Sequence, residues 1–349
     1  MNRKKITIKD IAKECNVSKT SVSFAFNNPS RLGKATRDKI LSTAEKMGYF
    51  PDPLARNLIL RKHNSIGFLL PQNVEVTLSN PYITLMIKGI AMYCQEKGYT
   101  LTIIPPLHSN ALDAVKIASV DGLIVLGMDV DPEVITFLNM RRIPFVTIDG
   151  KDAPLLPSVS IDDTKASYQI MKEVLTQGHR RIAIVSLSAD IISAKDKTEN
   201  LTSSHRRQLG YDQALKEFGL HLHSKEISVL TCECTFEHGK QLVAQILSLP
   251  QSVTAIVSMS DITALGIIRG LQERKIEIPS DISVVGFDDI EESGHSFPSL
   301  TTVSQPGLEK GRTAAAMLFD YLENDSNEIK QVRLPFSIVN RETLGPARK

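Results

Sequence analysis

The stretch TIKDIAKECNVSKTSVSFAF, residues 7–26, decides how the chain begins to fold. Thr7 stands where a helix needs a cap, and Asp10 three residues on completes a capping-box-like pair. Ile8, Ile11, Ala12 and Cys15 then recur at the spacing of one helical face. The pattern breaks at Asn16, a residue that tolerates the left-handed conformation of a tight turn. Val17 follows as a buried plug, and Ser18 caps a second helix to about Phe26. Ala12 is small enough for two helices to cross closely, with Val22 against it. Asn27-Asn28-Pro29-Ser30 ends that helix; a third starts near Ala35, buries Ile40, Leu41, Ala44 and Met47, and stops at Gly48. Three short helices with a tight turn between the first pair make a helix-turn-helix. The alternative is a generic helical bundle packed on the rest of the chain.

Charge separates these readings. The 349 residues carry a net charge of only +2, but the total conceals a division. Residues 1–62 hold 14 Lys/Arg against 5 Asp/Glu, a net +9, and the remainder holds 27 against 34, a net −7. A basic head on a mildly acidic body points to a polyanion as the head's partner. With 42% apolar residues the chain can build sizeable cores, and its length implies two or three domains. The start, MNRKKITIKDIAKE, lacks the apolar run of a secretory signal, and no apolar run approaches a membrane span, which implies a cytoplasmic protein without a membrane partner. Cys15, Cys94, Cys232 and Cys234 have neither redox nor zinc spacing and read as reduced thiols, so no metal is expected.

Residues 7–23, read as T-I-K-D-I-A-x-x-x-x-V-S-x-x-S-V-S, resemble the head of the LacI/GalR repressor family. So do Thr36-Arg37, Gly48-Tyr49-x-Pro51 and the stretch Asp52–Leu58, which is similar to the family's hinge helix. The N-terminal residues of the second helix lie nearest the base edges in such a motif, which gives Lys19 and Thr20 to base contact. Phe24 stands where many relatives carry Arg or His; it can touch a thymine methyl but cannot donate a hydrogen bond. Lys9, Ser18, Ser21, Asn27, Arg31 and Arg37 are placed for phosphate. The resemblance implies a hinge that folds only when two copies meet in the minor groove, with Leu58 as a wedge, Ala55 near the groove floor and Arg56 near phosphate. A linker role for Leu58, packed on the body, is the alternative.

Beyond Ser65 short β-rich runs alternate with amphipathic helical stretches. Ile66–Leu70, Thr100–Ile104, Gly122–Leu126 and Pro144–Ile148 form one set of strands; Ile182–Val185, Ile227–Leu230, Ala255–Ser258 and Ile282–Phe287 form another. Without clear alternation they read as strands buried on both faces of parallel sheets. The fold class is therefore an all-α helix-turn-helix head with a hinge helix, followed by an α/β body of two doubly wound lobes, with the ligand between them at the strand ends. Asn80-Pro81-Tyr82, Gly178–Ile182, Arg207-x-x-Gly210-Tyr211 and Pro279–Asp289 add a resemblance to the family's periplasmic-binding-protein-like body, as does Pro298-x-Leu300-Thr301-Thr302-Val303-x-Gln305. That divides the chain into a head at 1–51, a hinge and linker at 52–63, and a body at 64–349. One lobe takes 64–162 plus 304–330, and the other takes 163–303 plus 331–341, with a helix over 307–323 and a strand over Val332–Val339.

The same resemblance implies the ligand positions. Arg207, opening a helix beside the cleft, is similar to the arginine that donates a fork of hydrogen bonds to ligand oxygens. Asp288 and Asp149 stand at matching strand ends as acceptors for hydroxyls. Ser260 occupies a place where relatives often have Asn, Asp261 follows it, and Tyr82 and Ile83 sit where the family touches its ligand. Asp288 and Asp289 as caps of the following turn, and Asp261 as an N-cap, are the structural alternatives; His179 and Arg180 read as structural. The usual second-lobe aromatic is replaced by Cys234, with Phe236 two residues on, and the chain has no Trp. The polar segment 188–204 reads as a lid.

A ligand-controlled repressor follows: two heads of a homodimer on a pseudopalindromic double-stranded operator, with a sugar or sugar derivative as effector and no cofactor. A transport-type binding protein lacks a reason for the basic head. An enzyme lacks a Gly-x-Ser-x-Gly elbow, a Walker loop, a Gly-rich nucleotide turn or a metal-spaced His set, so no catalytic residue is assigned. Control by a protein partner or a non-sugar corepressor is the remaining alternative.

Overall fold

A computed structural model describes residues 6–49, 62–72, 74–108, 110–127, 132–150, 156–187, 202–324 and 328–348. The chain divides into two compact units, Met1–Asn64 and Ser65–Lys349.

The first unit holds α1 (Ile8–Cys15), α2 (Lys19–Asn27) and α3 (Lys34–Lys46). The Thr7 N–H donates to Asp10 Oδ2 at 2.9 Å, closing the cap at the start of α1. Asn16 ends that helix at φ 53°, ψ 49°, and the turn is fixed by Val17 N–H donating to the Ala12 carbonyl at 2.9 Å. Ser18 Oγ accepts from Ser21 N–H at 3.0 Å and starts α2. Ile11, Val22 and Ile40 are fully buried where the three helices meet, each burial worth about 1.5–3 kcal/mol. Leu41 departs from expectation: it is 36% exposed. Ile40 and Ala44, one turn apart, define the buried face, and Leu41 lies about 100° round from it. Met47 is only partly buried at the edge of the same cluster.

The second unit contains two six-stranded sheets. The first is formed by β1 (Ser65–Leu69), β2 (Thr100–Ile104), β3 (Gly122–Leu126), β4 (Phe145–Ile148), β5 (Ser158–Ser160) and β11 (Gln331–Arg333), in the order β11-β5-β4-β3-β1-β2. The second is formed by β6 (Ile182–Ser186), β7 (Ile227–Thr231), β8 (Ala255–Ser258), β9 (Ser283–Asp288), β10 (Thr301–Ser304) and β12 (Ser337–Val339), in the order β12-β10-β9-β8-β6-β7. All pairs are parallel except β10 with β12. β1, β3, β4, β6, β8 and β9 are buried along their length, but β2 and β7 are sheet edges and are partly exposed, unlike the doubly buried strands expected. The expected strand over Val332–Val339 is two strands in different sheets. Leu334-Pro335-Phe336 separates them, and Pro335 has no N–H to continue a ladder. The first lobe therefore reaches Arg333 rather than ending at residue 330.

The helices are α4 (Val74–Leu78), α5 (Pro81–Glu96), α6 (Ala111–Ile117), α7 (Pro132–Arg141), α8 (Asp163–Thr176), α9 (Ser203–Glu217), α10 (Phe236–Leu247), α11 (Asp261–Glu273), α12 (Glu291–His295) and α13 (Gly307–Asn324). The pair α5/α13 fixes the geometry at the first sheet. A Cβ on Gly89 would lie 2.0 Å from the Leu308 carbonyl oxygen, and one on Gly311 would lie 2.1 Å from that of Met86. Only glycine lets the two backbones approach this closely. Among the described residues no helix is long and apolar enough to cross a membrane.

Candidate nucleic-acid interface and ligand cleft

In the head, Lys19 and Thr20 are exposed in the first turn of α2, and Lys9 is exposed on α1. Phe24, one turn after Thr20, is half-buried and carries the Arg31 guanidinium over its ring at 5.4 Å. Sequence reasoning placed these two separately; the structure brings them together. Ser18 and Ser21 are engaged with one another, their hydroxyl oxygens 2.9 Å apart, and Asn27 Nδ2 donates to Ser23 Oγ at 3.3 Å. Arg37 forms a surface pair with Asp38 at 3.3 Å. Ala55, Arg56 and Leu58 lie outside the described residues, as does the lid segment except Thr202–Ser204.

In the body, a cavity of about 600 Å³ opens at the carboxyl ends of both sheets. It receives Gly127 after β3, Asp149 after β4, Leu187 after β6, Cys232 and Cys234 after β7, Ser260 after β8 and Asp288 at the end of β9. Parallel sheets put their strand-end loops on one side, which is why residues so distant in sequence converge here. Of the seven residues expected at the ligand, Tyr82, Ile83, Asp149, Arg207, Ser260 and Asp288 line the cavity.

Asp261 does not. It is fully buried behind the wall, where Oδ1 accepts from Thr302 Oγ1 at 2.5 Å and Oδ2 accepts from Ser293 Oγ at 2.6 Å and Ile290 N–H at 3.2 Å. Those bonds tie the start of α11 to β10 and α12, so its role is bracing. Burial pushes its carboxyl up to about 6 despite these donors. Asp288 and Asp289 do not cap the next helix either: Ile290 is the N-cap of α12, and Asp289 pairs with Arg341 at 2.6 Å. His179 is buried and structural, its ring nitrogens 2.9 Å from Thr254 Oγ1 and from the Gly345 carbonyl oxygen.

The two strand-end aspartates turn into the cavity on sharply bent backbone, with φ of 53° at Asp149 and 137° at Asp288. Asp149 accepts from Tyr82 OH at 3.2 Å and from Lys310 Nζ at 2.5 Å. Asp288 accepts from Gln305 Nε2 at 2.6 Å and Ser260 Oγ at 3.1 Å. Burial, reinforced by the neighbouring Asp261, pushes the Asp288 carboxyl up to about 7, and Arg207 opposes them only in part. Lys310 Nζ also donates to Gln305 Oε1 at 2.7 Å, so one chain of hydrogen bonds joins both aspartates beneath the cavity.

Arg207 is not the first residue of its helix, as expected, but lies a turn inside α9, which Thr202 caps. Its Nε donates to Asp163 Oδ1 at 3.0 Å and its Nη1 to the Met259 carbonyl at 2.6 Å, while the guanidinium stacks 3.6 Å over Phe287. Arg206 grips the other oxygen of Asp163 through Nε and Nη2, at 3.2 and 2.9 Å, and sends Nη1 to the Gly150 carbonyl at 3.0 Å. Burial raises the Asp163 carboxyl, but Arg207, Arg206 and Lys310 together outweigh it and hold Asp163 below the usual range.

Lys310, Asp163 and Arg206 were not singled out from sequence, and Gln305 stood there only as the end of a family-like motif, with no site role. A lysine on the otherwise small and apolar stripe Gly307, Gly311, Ala314 and Ala315 was the available signal. Among the described wall residues Tyr82 is the sole aromatic. Burial pushes the thiols of Cys232 and Cys234 up to about 11, which leaves them poor nucleophiles. Among the described residues no group of three His, Cys, Asp or Glu side chains could hold a metal. The arrangement is a hydrogen-bonding cleft.

Residues 7–52 match bacterial regulatory proteins of the lacI family, and residues 171–344 match a periplasmic binding protein-like domain. The chain is 30% identical over 324 residues to the HTH-type transcriptional repressor CytR of Escherichia coli K12, covering 91% of this chain and 90% of that protein. A LacI family transcriptional regulator from Enterococcus faecium, solved with bound ribose, superposes with a TM-score of 0.70 at 26% identity over 81% of this chain and 100% of its own. The lac repressor dimer bound to operator and an anti-inducer shares the fold, with a TM-score of 0.79 at 22% identity over 98% of this chain and 100% of that one. With the helix-turn-helix, the two-sheet body and this similarity along nearly all its length, the chain belongs to the lacI family of bacterial regulatory proteins, DNA-binding regulators of transcription.

Proposed function

We propose that the protein is a cytoplasmic repressor whose operator binding is controlled by a neutral polyhydroxylated molecule, a sugar or sugar derivative, held in the cleft. The carrying observation is the pair of strand-end aspartates facing one cavity of about 600 Å³, each already hydrogen-bonded at its back. Vicinal hydroxyls both donate and accept, and Asp149, Ser260, Arg207 and Asp288 offer both halves of those bonds. Aliphatic and thioether groups of Ile83, Met86, Leu126 and Met259 meet the carbon skeleton. The wall suits a saturated ring better than a planar base, which would seek two stacking faces.

In the head, Lys19 and Thr20 read base edges, while Lys9, Ser18, Ser21, Asn27 and Arg37 hold phosphate. Phe24 and Arg31 act as a unit, the ring steering the guanidinium beside the recognition helix. Two copies form a homodimer on a pseudopalindrome. Phe236 and Phe297, 40% and 84% exposed beside a groove lined by Leu265 and Ile268, supply an apolar face for the second copy. The hinge at 52–63 and the wedge Leu58 complete the grip. Ligand acts through its different affinities for the DNA-competent and DNA-incompetent arrangements.

The test measures thermal unfolding of the full-length protein against sugars, sugar phosphates and planar bases, then operator affinity with and without each stabiliser. A neutral sugar that raises the melting temperature and shifts operator affinity is the expected result. Stabilisation by planar bases alone would sink the reading.

A further inference from the structure

On α13 the buried stripe runs through Gly307, Lys310, Gly311, Ala314, Ala315 and Leu318. Lys310 is the one charge among these, and it is fully buried. A lysine in such a place is costly unless its ammonium is paired, and here it ends on Asp149 Oδ1 at 2.5 Å and Gln305 Oε1 at 2.7 Å. The ammonium also lies 5.5 Å from the centre of the Tyr82 ring. Tyr82 and Asp149 line the cavity, whereas Lys310 stands one layer behind them. Its position is set by the close crossing of α5 and α13 at Gly89 and Gly311.

Resting on the reading of the cleft as the ligand site, we propose that Lys310 is a specificity-determining residue: from behind the wall it cancels the charge of Asp149, so that the cleft takes a neutral polyhydroxylated ligand ahead of phosphorylated or amino counterparts. The buried charges around the cleft support this reading as a set. Among the buried groups, Asp149, Asp163, Asp261 and Asp288 stand with Arg206, Arg207 and Lys310, while Glu233 lines the cavity from an exposed position beside His238, 3.6 Å away. Asp261 and Asp288, both raised by burial, together bind about one proton around pH 6–7, which leaves three negative charges against three positive among these buried groups. A neutral ligand enters without disturbing that balance. A phosphate or an ammonium brings an unopposed charge into a site of low dielectric, where it is strongly penalised. Without Lys310, Asp149 would keep Tyr82 OH as a donor but lose its counter-charge, and the cleft would favour a cation.

The experiment is calorimetric titration of three full-length proteins: wild type, Lys310→Met, and the double variant Lys310→Met/Asp149→Asn. Ribose, glucose and cellobiose serve as neutral probes, ribose 5-phosphate as the anion and glucosamine as the cation. Wild type should bind a neutral probe at least tenfold more tightly than either charged one. Lys310→Met should lose at least tenfold for that probe while gaining for glucosamine, reversing the order. The double variant, with both charges removed, should recover the preference for the neutral probe, and it leaves no stranded charge to prevent folding. Equal weakening of every probe by Lys310→Met would mean that the lysine only supports the fold, and would overturn the proposal. So would a double variant without the neutral preference, should Lys310→Met alone fail to fold. Wild-type protein that prefers the phosphate or the amine overturns the charge balance directly. Wild type that binds none of the probes overturns the ligand reading of the cleft, and this inference with it.

Discussion

In the head, Lys9, Lys19 and Arg31 are exposed, and Arg37 meets Asp38 at the surface. In the cleft, Arg206, Arg207 and Lys310 are 6%, 4% and 0% exposed, and each ends on a carboxylate. The head's charges stay wet, contribute little to folding, and are available to a polyanion whose counterions they can displace. The cleft's buried charges are committed to one another, so discrimination there falls to hydrogen-bond geometry. Cations of the same chemistry thus serve long-range attraction in one unit and local order in the other.

The largest test of that contrast is Asp163→Ala. It strands two buried guanidinium groups and should lower the unfolding free energy of the body by about 3–5 kcal/mol in urea titrations. A loss below about 1 kcal/mol would mean that the cleft cations do not depend on their partners. Asp149→Asn and Asp288→Asn come next and should differ. The first leaves Lys310 buried without a carboxylate and should cost about 2–4 kcal/mol. The second removes a carboxylate that burial already disfavours, keeps a carbonyl acceptor for Gln305, and offers an amide N–H that the Ser260 hydroxyl can accept, so about 1 kcal/mol or less is expected. Equal losses would erase the distinction between the two strand ends.

The pH dependence sharpens the same point. Asp288 and Asp261 titrate in the folded protein near 7 and 6, above the roughly 3.9 of an unfolded aspartate. The folded state therefore holds more protons between these limits. Their contribution to stability is full below about pH 4 and is lost as pH rises through 6–7. Chemical unfolding should show a body less stable at pH 8 than at pH 5, by on the order of 4 kcal/mol from this pair, and Asp288→Asn should flatten the slope. Asp163 runs the other way, because its carboxyl is held low, but its contribution fades only below about pH 4.

The head was legible because its determinants are local: the cap at Thr7 and Asp10, the turn at Asn16 and the helical spacing all lie within a few residues. Leu41 misled because one step along a helix turns a side chain from core to solvent. The cleft wall was legible in part, since parallel strands deliver their ends to one place. Asp261 resembled its neighbour Ser260 in sequence; only Thr302 and Ser293, far along the chain, make it a brace. Lys310 and Asp163 escaped for the same reason. Their partners are 161 and 43–44 residues away, and a charge on a buried stripe says that a partner exists without saying which. The C-terminal strand was misread because pattern alone cannot show that Pro335 passes the chain from one sheet to the other.

The smallest effect on folding should come from the head, and it separates the two kinds of charge most cleanly. Arg37→Ala should leave the unfolding midpoint unchanged within error, since its partner Asp38 is a solvated surface neighbour. Its effect belongs to DNA: operator and unrelated duplex should both bind less tightly, and the slope of log affinity against log salt should fall by about one. Lys19→Ala should equally spare folding but cost about 1–3 kcal/mol for operator alone, narrowing the ratio between specific and non-specific binding. Fluorescence anisotropy with both duplexes over a salt series measures all four quantities. If Arg37→Ala and Lys19→Ala lose operator and random duplex in equal proportion, Lys19 is a phosphate contact like Arg37, and base reading must fall to Thr20 and the Phe24–Arg31 pair.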